Sequence, residues 1–250
     1  MTALVLVHAF PVDAAMWDEQ VAALSEQADV LAPSLPGFGG TAPGGDVMTM
    51  DAAADHVAAE MDRSGVDRAV VCGLSMGGYV AFSLWRRHRE RVAALALADT
   101  RAEPDDDAGR ERRRQVADKA RTGGSAAIAD SPPPLLSEGA APALWERVKK
   151  MIRRQPGEAI AAASLGLGER ADSRPVLPEI DVPTTVIVGS ADTLTPPAMS
   201  EAMVEAIPGA ELVVLDGAGH LSNLEDPRGF TAALRDLLRR VDQPQRRGGA

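Results

Sequence analysis

The chain has 250 residues, 45% of them hydrophobic and 25% charged, a makeup that supports a buried core and sets it apart from disordered or fibrous chains. Lys and Arg number 26 against 36 Asp and Glu, a formal net charge of −10, which repels phosphate backbones and argues against a nucleic-acid partner. The lone Cys72 excludes an intramolecular disulfide, no Cys/His spacing suits a metal, and no apolar run approaches the ~18 residues of a membrane span, so neither a metal nor a membrane partner is expected.

The start, MTALVLVHAF, lacks the basic lead, long apolar stretch and cleavage site of a signal peptide and reads as a strand, so a cytoplasmic location is expected. Apolar, β-prone runs predict strands at Ala3–Val7, Asp29–Ala32, Ala69–Cys72, Val92–Ala98, Thr184–Val188 and Glu211–Leu215. Between them, helical periodicity predicts helices at Trp17–Gln27, Met50–Ser64, Met76–Arg89, Pro197–Ile207 and Pro227–Arg240, several opened by Asp, Ser, Thr or Pro. Runs that are apolar without alternation, such as Leu4 to Val7, suit strands covered on both faces. Strand then helix, repeated, predicts an α/β fold: a mostly parallel central sheet with helices on both faces.

Arg101–Pro178 breaks the rhythm, with no convincing strand. It opens on a charged run in which Arg110–Arg121 reads as a solvated helix face. It then passes through Ser131 and three prolines, and closes where Pro175, Pro178 and Pro183 mark the return to the sheet. The expected organisation is a core of residues 1–100 and 179–250 with a helical insertion at 101–178. No repeats are evident, and the polar tail Gln243–Ala250 is expected to fray.

The chemistry begins at Gly73-Leu74-Ser75-Met76-Gly77, a G-x-S-x-G pattern directly after an expected strand and before an expected helix, the context of a nucleophile elbow. Small neighbours let the turn close, and the serine stands at a helix N-terminus, where free N–H groups favour negative charge. A serine hydroxyl needs a base. His56 and His88 lie in polar helical segments and are expected to face solvent, and His8 to shape a loop. His220 lies in a glycine-rich loop between the last strand and the last helix, on the strand-end side where open α/β sheets assemble their sites. The acid that orients its imidazole is expected at Asp192, after the strand preceding that of His220, with Asp99 as the competing acid and Asp216 a turn residue.

HAFP at 8–11, LPGFGG at 35–40, GLSMGG at 73–78, GSAD at 189–192 and GAGH at 217–220 together resemble the α/β-hydrolase superfamily over nearly the whole chain outside the insertion. Met16-Trp17, the run 91–100 and Thr195-Pro196-Pro197 are similar to the small capped esterases and the 3-oxoadipate enol-lactonase-like group. The resemblance implies a helical cap after the sixth strand, a serine nucleophile and no cofactor. It also implies oxyanion donors at the backbone N–H groups of Phe10 and Met76. Many relatives carry glycine where this chain has Ala9, so a positive φ there would displace the Phe10 donor. Dehalogenases and epoxide hydrolases of similar layout use an aspartate nucleophile, against which Ser75 speaks.

An apolar acyl pocket is expected from Phe10, Trp17, Phe38, Met76, Leu135, Leu136, Trp145 and Leu194. An acidic lactone would need a cation, for which Arg101 is the candidate. The expected activity is hydrolysis of small, largely apolar esters or lactones through an acyl-enzyme on Ser75. The alternatives are cofactor-free haloperoxidase or perhydrolase chemistry on the same three residues, and a non-catalytic ligand receptor. The oligomeric state is not legible in the sequence.

Overall fold

The computed structural model describes residues 1–242; the tail expected to fray lies outside them. Strands β1 (Ala3–Val7), β2 (Asp29–Leu31), β3 (Ala69–Leu74), β4 (Val92–Ala98), β5 (Thr184–Gly189) and β6 (Glu211–Leu215) form one sheet in the order β2-β1-β3-β4-β5-β6. Every pairing is parallel, so the expected mostly parallel sheet is wholly parallel among the described residues. Burial explains the sequence pattern: β1, β3 and β5 are buried along their whole length, while β2 and β6 at the edges are partly exposed.

Helices α1 (Asp18–Leu24), α2 (Met50–Arg63) and α3 (Met76–Arg87) precede β4, and α7 (Pro197–Ala206), the short α8 (Ser222–Glu225) and α9 (Pro227–Asp242) alternate with the last strands or follow them. α3 packs on β1, β3 and β4 and against α2, whereas α9 packs on β4, β5 and β6 and against α1. The expected Trp17–Gln27 helix is shorter, because Asp13 caps a 3-10 turn at Ala14–Trp17 and α1 starts only at Asp18. Conversely, β3 runs two residues beyond its expected end, since Gly73 and Leu74 stay in register with Leu97 and Ala98 of β4.

Between β4 and β5 the chain leaves the sheet and forms α4 (Asp107–Asp130), α5 (Pro142–Arg153) and α6 (Gly157–Gly168), which pack on one another through α4. The resemblance implied a cap after the sixth strand. The described sheet has six strands in all, so the insertion follows the fourth. Its return segment, the 3-10 helix Arg174–Glu179, packs against α7.

All strands point one way, so their C-terminal ends share one edge of the sheet. β2 lies beyond β1 and β3 lies on its other side, so the connections after β1 and β3 diverge and open a crevice at that edge.

Candidate active site

Ser75 joins β3 to α3 with φ 55 and ψ −112, a conformation that costs an L-residue about 1–3 kcal/mol. The turn is tight enough that a Cβ on Gly73 would collide with the Gly77 carbonyl, and one on Gly77 with the Val7 carbonyl. Glycine at these two positions is therefore a packing requirement. The Ser75 N–H is tied to Ala98 of β4 at 2.9 Å, and Thr100 Oγ1 donates to the Ser75 carbonyl at 2.9 Å, so the strained residue is held from the neighbouring strand.

His220 and Asp192 reach Ser75 from the loops after β6 and β5. His220 Nδ1 lies 2.8 Å from Asp192 Oδ2, and His220 Nε2 lies 2.8 Å from Ser75 Oγ. A carboxylate only accepts, so Nδ1 carries the proton and Nε2 is left to accept from the serine hydroxyl. Asp192 is itself fixed: Leu194 N and Thr195 N donate to Oδ1 at 2.8 and 3.1 Å, and Thr195 Oγ1 donates to Oδ2 at 2.6 Å. Burial works against its charge, yet the His220 hydrogen bond and charge and the Thr195 bonds hold the carboxyl below its ordinary value.

Asp99 sits at the same edge, fully buried and at φ 43, but His220 Nδ1 bonds Asp192 and not Asp99. It accepts from Gly189 N at 2.9 Å and pairs with Ser222 Oγ. Burial, reinforced by the Asp192 charge, pushes its carboxyl well above the usual range. The competing-acid reading thus gives way to a different role: Asp99 links the strand end before Asp192 to the segment after His220. Asp216 accepts from Ser190 Oγ at 3.3 Å in an exposed turn.

The other histidines divide. His8 is buried, accepts from Leu35 N through Nε2 at 2.9 Å and places Nδ1 3.0 Å from the Ala9 carbonyl. Burial outweighs that carbonyl and Asp13 and brings its pKa down to about 4, so it is a neutral loop-shaping residue. His56 and His88 are half-buried rather than solvent-facing, because His56 reaches the Ser34 carbonyl at 3.1 Å and His88 pairs with Asp55 at 2.7 Å.

Phe10 follows β1 across the crevice from Ser75. Among the described residues its N–H has no acceptor, and the N–H of Met76 opens α3, where a helix offers none. Only Ser75 and Asp99 of the described non-glycine residues take positive φ, so Ala9 satisfies its loop without glycine's freedom.

A cavity of about 340 Å³ opens over Ser75 and His220. Phe10, Leu135 and Leu194 line it as expected, and so does Arg101. Trp17, Phe38, Leu136, Trp145 and the Met76 side chain do not. Trp17 is buried against Phe230 with ring centroids 5.6 Å apart, and Phe38 against His8 at 5.4 Å. Leu136 and Met76 are buried in the core, and Trp145 packs on its margin. Sequence reasoning overlooked Tyr79 and Thr195, and it took Arg113, Val116 and Lys119 of α4 for a solvated face although all three line the cavity. Val116 with the buried Ala117 and Ala120 was the available signal, an apolar stripe marking the inward side of that helix.

A strained serine between β3 and α3, hydrogen-bonded to a histidine after the last strand, defines an α/β hydrolase in architecture. The chain belongs to that family: the model described as alpha/beta hydrolase fold matches residues 2–227. It is similar to a thermophilic esterase from Thermogutta terrifontis, with 42% identity, coverage of 97% of this chain and 91% of the other, and a TM-score of 0.94. An enol-lactonase from Burkholderia xenovorans matches with 33% identity, 96% and 92% coverage and a TM-score of 0.86. Pimeloyl-[acyl-carrier protein] methyl ester esterase of Neisseria meningitidis is 31% identical over 97% of this chain and 78% of its own. No described helix is long and apolar enough to cross a membrane.

Proposed function

We propose that the protein is a carboxylic-ester hydrolase that cleaves small esters or lactones through an acyl-enzyme on Ser75, with residues 1–100 and 179–250 as the catalytic core and 101–178 as a cap over it. The observation that carries this reading is the chain Ser75–His220–Asp192, with both links at 2.8 Å, ending beneath a cavity beside two unengaged N–H groups.

In this mechanism Ser75 Oγ bonds to the substrate carbonyl carbon while His220 Nε2 takes its proton. The carbonyl oxygen gathers the negative charge at the Phe10 and Met76 N–H groups, donors worth about 10²–10³ in turnover each. As the tetrahedral intermediate collapses, the C–O bond breaks and His220 gives its proton to the departing alkoxide. Water then adds to the acyl carbonyl, losing a proton to His220, and the acid leaves as that proton returns to Ser75 Oγ. Asp192 holds the ring and stabilises its cation throughout.

The test is hydrolysis of p-nitrophenyl esters from acetate to decanoate by wild type and Ser75→Ala, with folding followed by circular dichroism. Short-chain turnover should fall by on the order of 10⁴-fold or more in the variant. Retained hydrolysis in a folded Ser75→Ala protein would refute the assignment. A folded wild type inert at every length would instead favour peroxide chemistry, read as Ser75-dependent peracid formation, or a ligand receptor.

A further inference from the structure

LPGFGG at 35–40 carries part of the family resemblance, yet none of its residues lines the cavity over Ser75. It lies instead between two other parts of the molecule. On one side it meets the loop that carries Phe10: the Leu35 N–H donates to His8 Nε2 at 2.9 Å, and the Phe38 ring packs against the His8 ring. On the other it meets the insertion. A Cβ on Gly37, at φ 86, would stand 2.8 Å from the Ala159 Cβ of α6, and the Gly39 N–H donates to Gln155 Oε1 at 3.0 Å.

Gln155, between α5 and α6, is only 2% exposed, and its Nε2 donates to Asp13 Oδ2 at 2.7 Å and to the Met151 carbonyl at 2.8 Å. Carboxylate and carbonyl oxygens only accept and a backbone N–H only donates, so these three partners fix which way the amide faces. Asp13 ends the Phe10 loop. Its Oδ1 accepts from Ala15 N at 3.1 Å and caps the 3-10 turn, which leaves the other oxygen of this buried carboxylate to Gln155. Phe10 therefore stands between two anchors, His8 before it and Asp13 after it, and both lead to loop 35–40. Between them Ala9 is bonded at both ends, its N–H to Met16 Sδ at 3.2 Å and its carbonyl to Val12 N at 3.2 Å.

Docking of the insertion on the core has contacts of its own. The Met48 N–H donates to the Ala162 carbonyl at 3.0 Å, and a Cβ on Gly166 would collide with the Met48 carbonyl. Gln155 differs from these in reaching the loop that carries an oxyanion donor. Neither Gln155 nor Asp13 lines the cavity, so an effect of either on the reaction runs through the Phe10 backbone.

We propose that Gln155 is a positioning residue for the oxyanion hole: by holding Asp13 and Gly39 at once it sets the place of the Phe10 N–H. The insertion then contributes to transition-state stabilisation without touching the substrate there. This rests on the ester-hydrolase reading above and adds to it a residue that acts through another.

The experiment is a charge-swap cycle on the full chain. Gln155→Glu sets two carboxylates against each other, while adding Asp13→Asn restores a donor facing an acceptor and keeps the Ala15 cap. With p-nitrophenyl acetate, kcat and kcat/KM should fall together by about ten- to a hundredfold in Gln155→Glu, because a displaced donor is missed only in the transition state. The double variant should regain most of that loss. Gln155→Met, which removes the bonds without adding charge, should show the same loss should Gln155→Glu fail to fold. The second readout is the affinity of a short alkyl trifluoromethyl ketone, which adds reversibly to Ser75 Oγ and leaves its oxyanion in the hole. Its Ki, per active site titrated with a fluorophosphonate, should rise in proportion to the loss in kcat/KM. A merely structural Gln155 would lower the titrated fraction and the melting temperature and leave that Ki unchanged, which overturns the proposal. So does a loss that Asp13→Asn does not recover. Both results leave the hydrolase reading intact, whereas a folded wild type that neither cleaves the ester nor captures the ketone removes that reading and this role with it.

Discussion

Ser75, Asp192 and His220 hang from the ends of β3, β5 and β6, whereas Arg113, Val116 and Lys119 hang from α4, which packs on α5 and α6 and meets the sheet-end residue Arg101 through Asp105. On the strand side each functional atom is fixed by its own few neighbours: the elbow glycines, the Asp192 turn closed by Thr195, and the loop around His220. On the insertion side, position depends on how one helix docks, and that is decided by groups far apart in the chain. Asp105 meets Arg170 across 65 residues and Glu225 meets Ser137 across 88. The same cavity thus has one wall set by local rules and another set by tertiary ion pairs.

Substitutions on the two sides should fail differently. The largest effect belongs to the strand side: Asp192→Asn should lower kcat by about 10⁴-fold with little change in melting temperature, while Asp99→Asn, which can still accept from Gly189 and pair with Ser222, should stay within about tenfold. Equal losses in steady-state assays would show that both carboxyls serve His220. On the insertion side, Asp105→Asn leaves three guanidiniums without their anion and should destabilise the fold by about 3–5 kcal/mol, read by urea titration. A change below about 1 kcal/mol would mean the ion pairs are not what docks α4.

Glu225 joins the two sides. Its Oε1 accepts from Ser137 N at 2.9 Å and from Gly219 N at 2.7 Å, beside His220. Removing these acceptors in Glu225→Ala should cost about 1–3 kcal/mol and lower kcat more than it raises KM, with Glu225→Gln restoring most of both. An unchanged kcat would detach the insertion from the base.

The smallest effect is a pH slope. The folded state raises the Asp99 pKa, so between about pH 4 and that raised value the unfolded chain releases a proton that the folded chain keeps. Stability therefore falls with rising pH, by at most about 1.4 kcal/mol per unit. Asp99→Asn should flatten the denaturation profile in that window. Asp105 and Asp192 act with the opposite sign, their stabilisation being lost as pH falls through their depressed folded values.

What was legible in the sequence follows the same division. Ser75, Asp192 and His220 could be read because G-x-S-x-G, GSAD and GAGH report local backbone shape at strand ends, and the strands themselves because full burial removes polar alternation. Thr195 stood in the sequence only within the Thr195-Pro196-Pro197 motif, and only the fold shows that its hydroxyl braces the Asp192 carboxylate. Trp17 and Phe38 were misplaced because a large apolar side chain near a motif looks the same whether it faces a cavity or the core behind it. Arg113 and Lys119 were hidden in a charged run, since the six cations between Arg110 and Arg121 do not by themselves reveal which side of α4 faces the cavity.

The most direct test of the central claim is covalent trapping. A fluorophosphonate probe is incubated with wild type, Ser75→Ala and His220→Ala, and the adduct is located by peptide mass spectrometry. The account predicts one adduct, on Ser75, formed rapidly by wild type, slowly by His220→Ala and not at all by Ser75→Ala. Labelling at another residue, or a rate indifferent to His220, would contradict an activated serine at the β3–α3 turn.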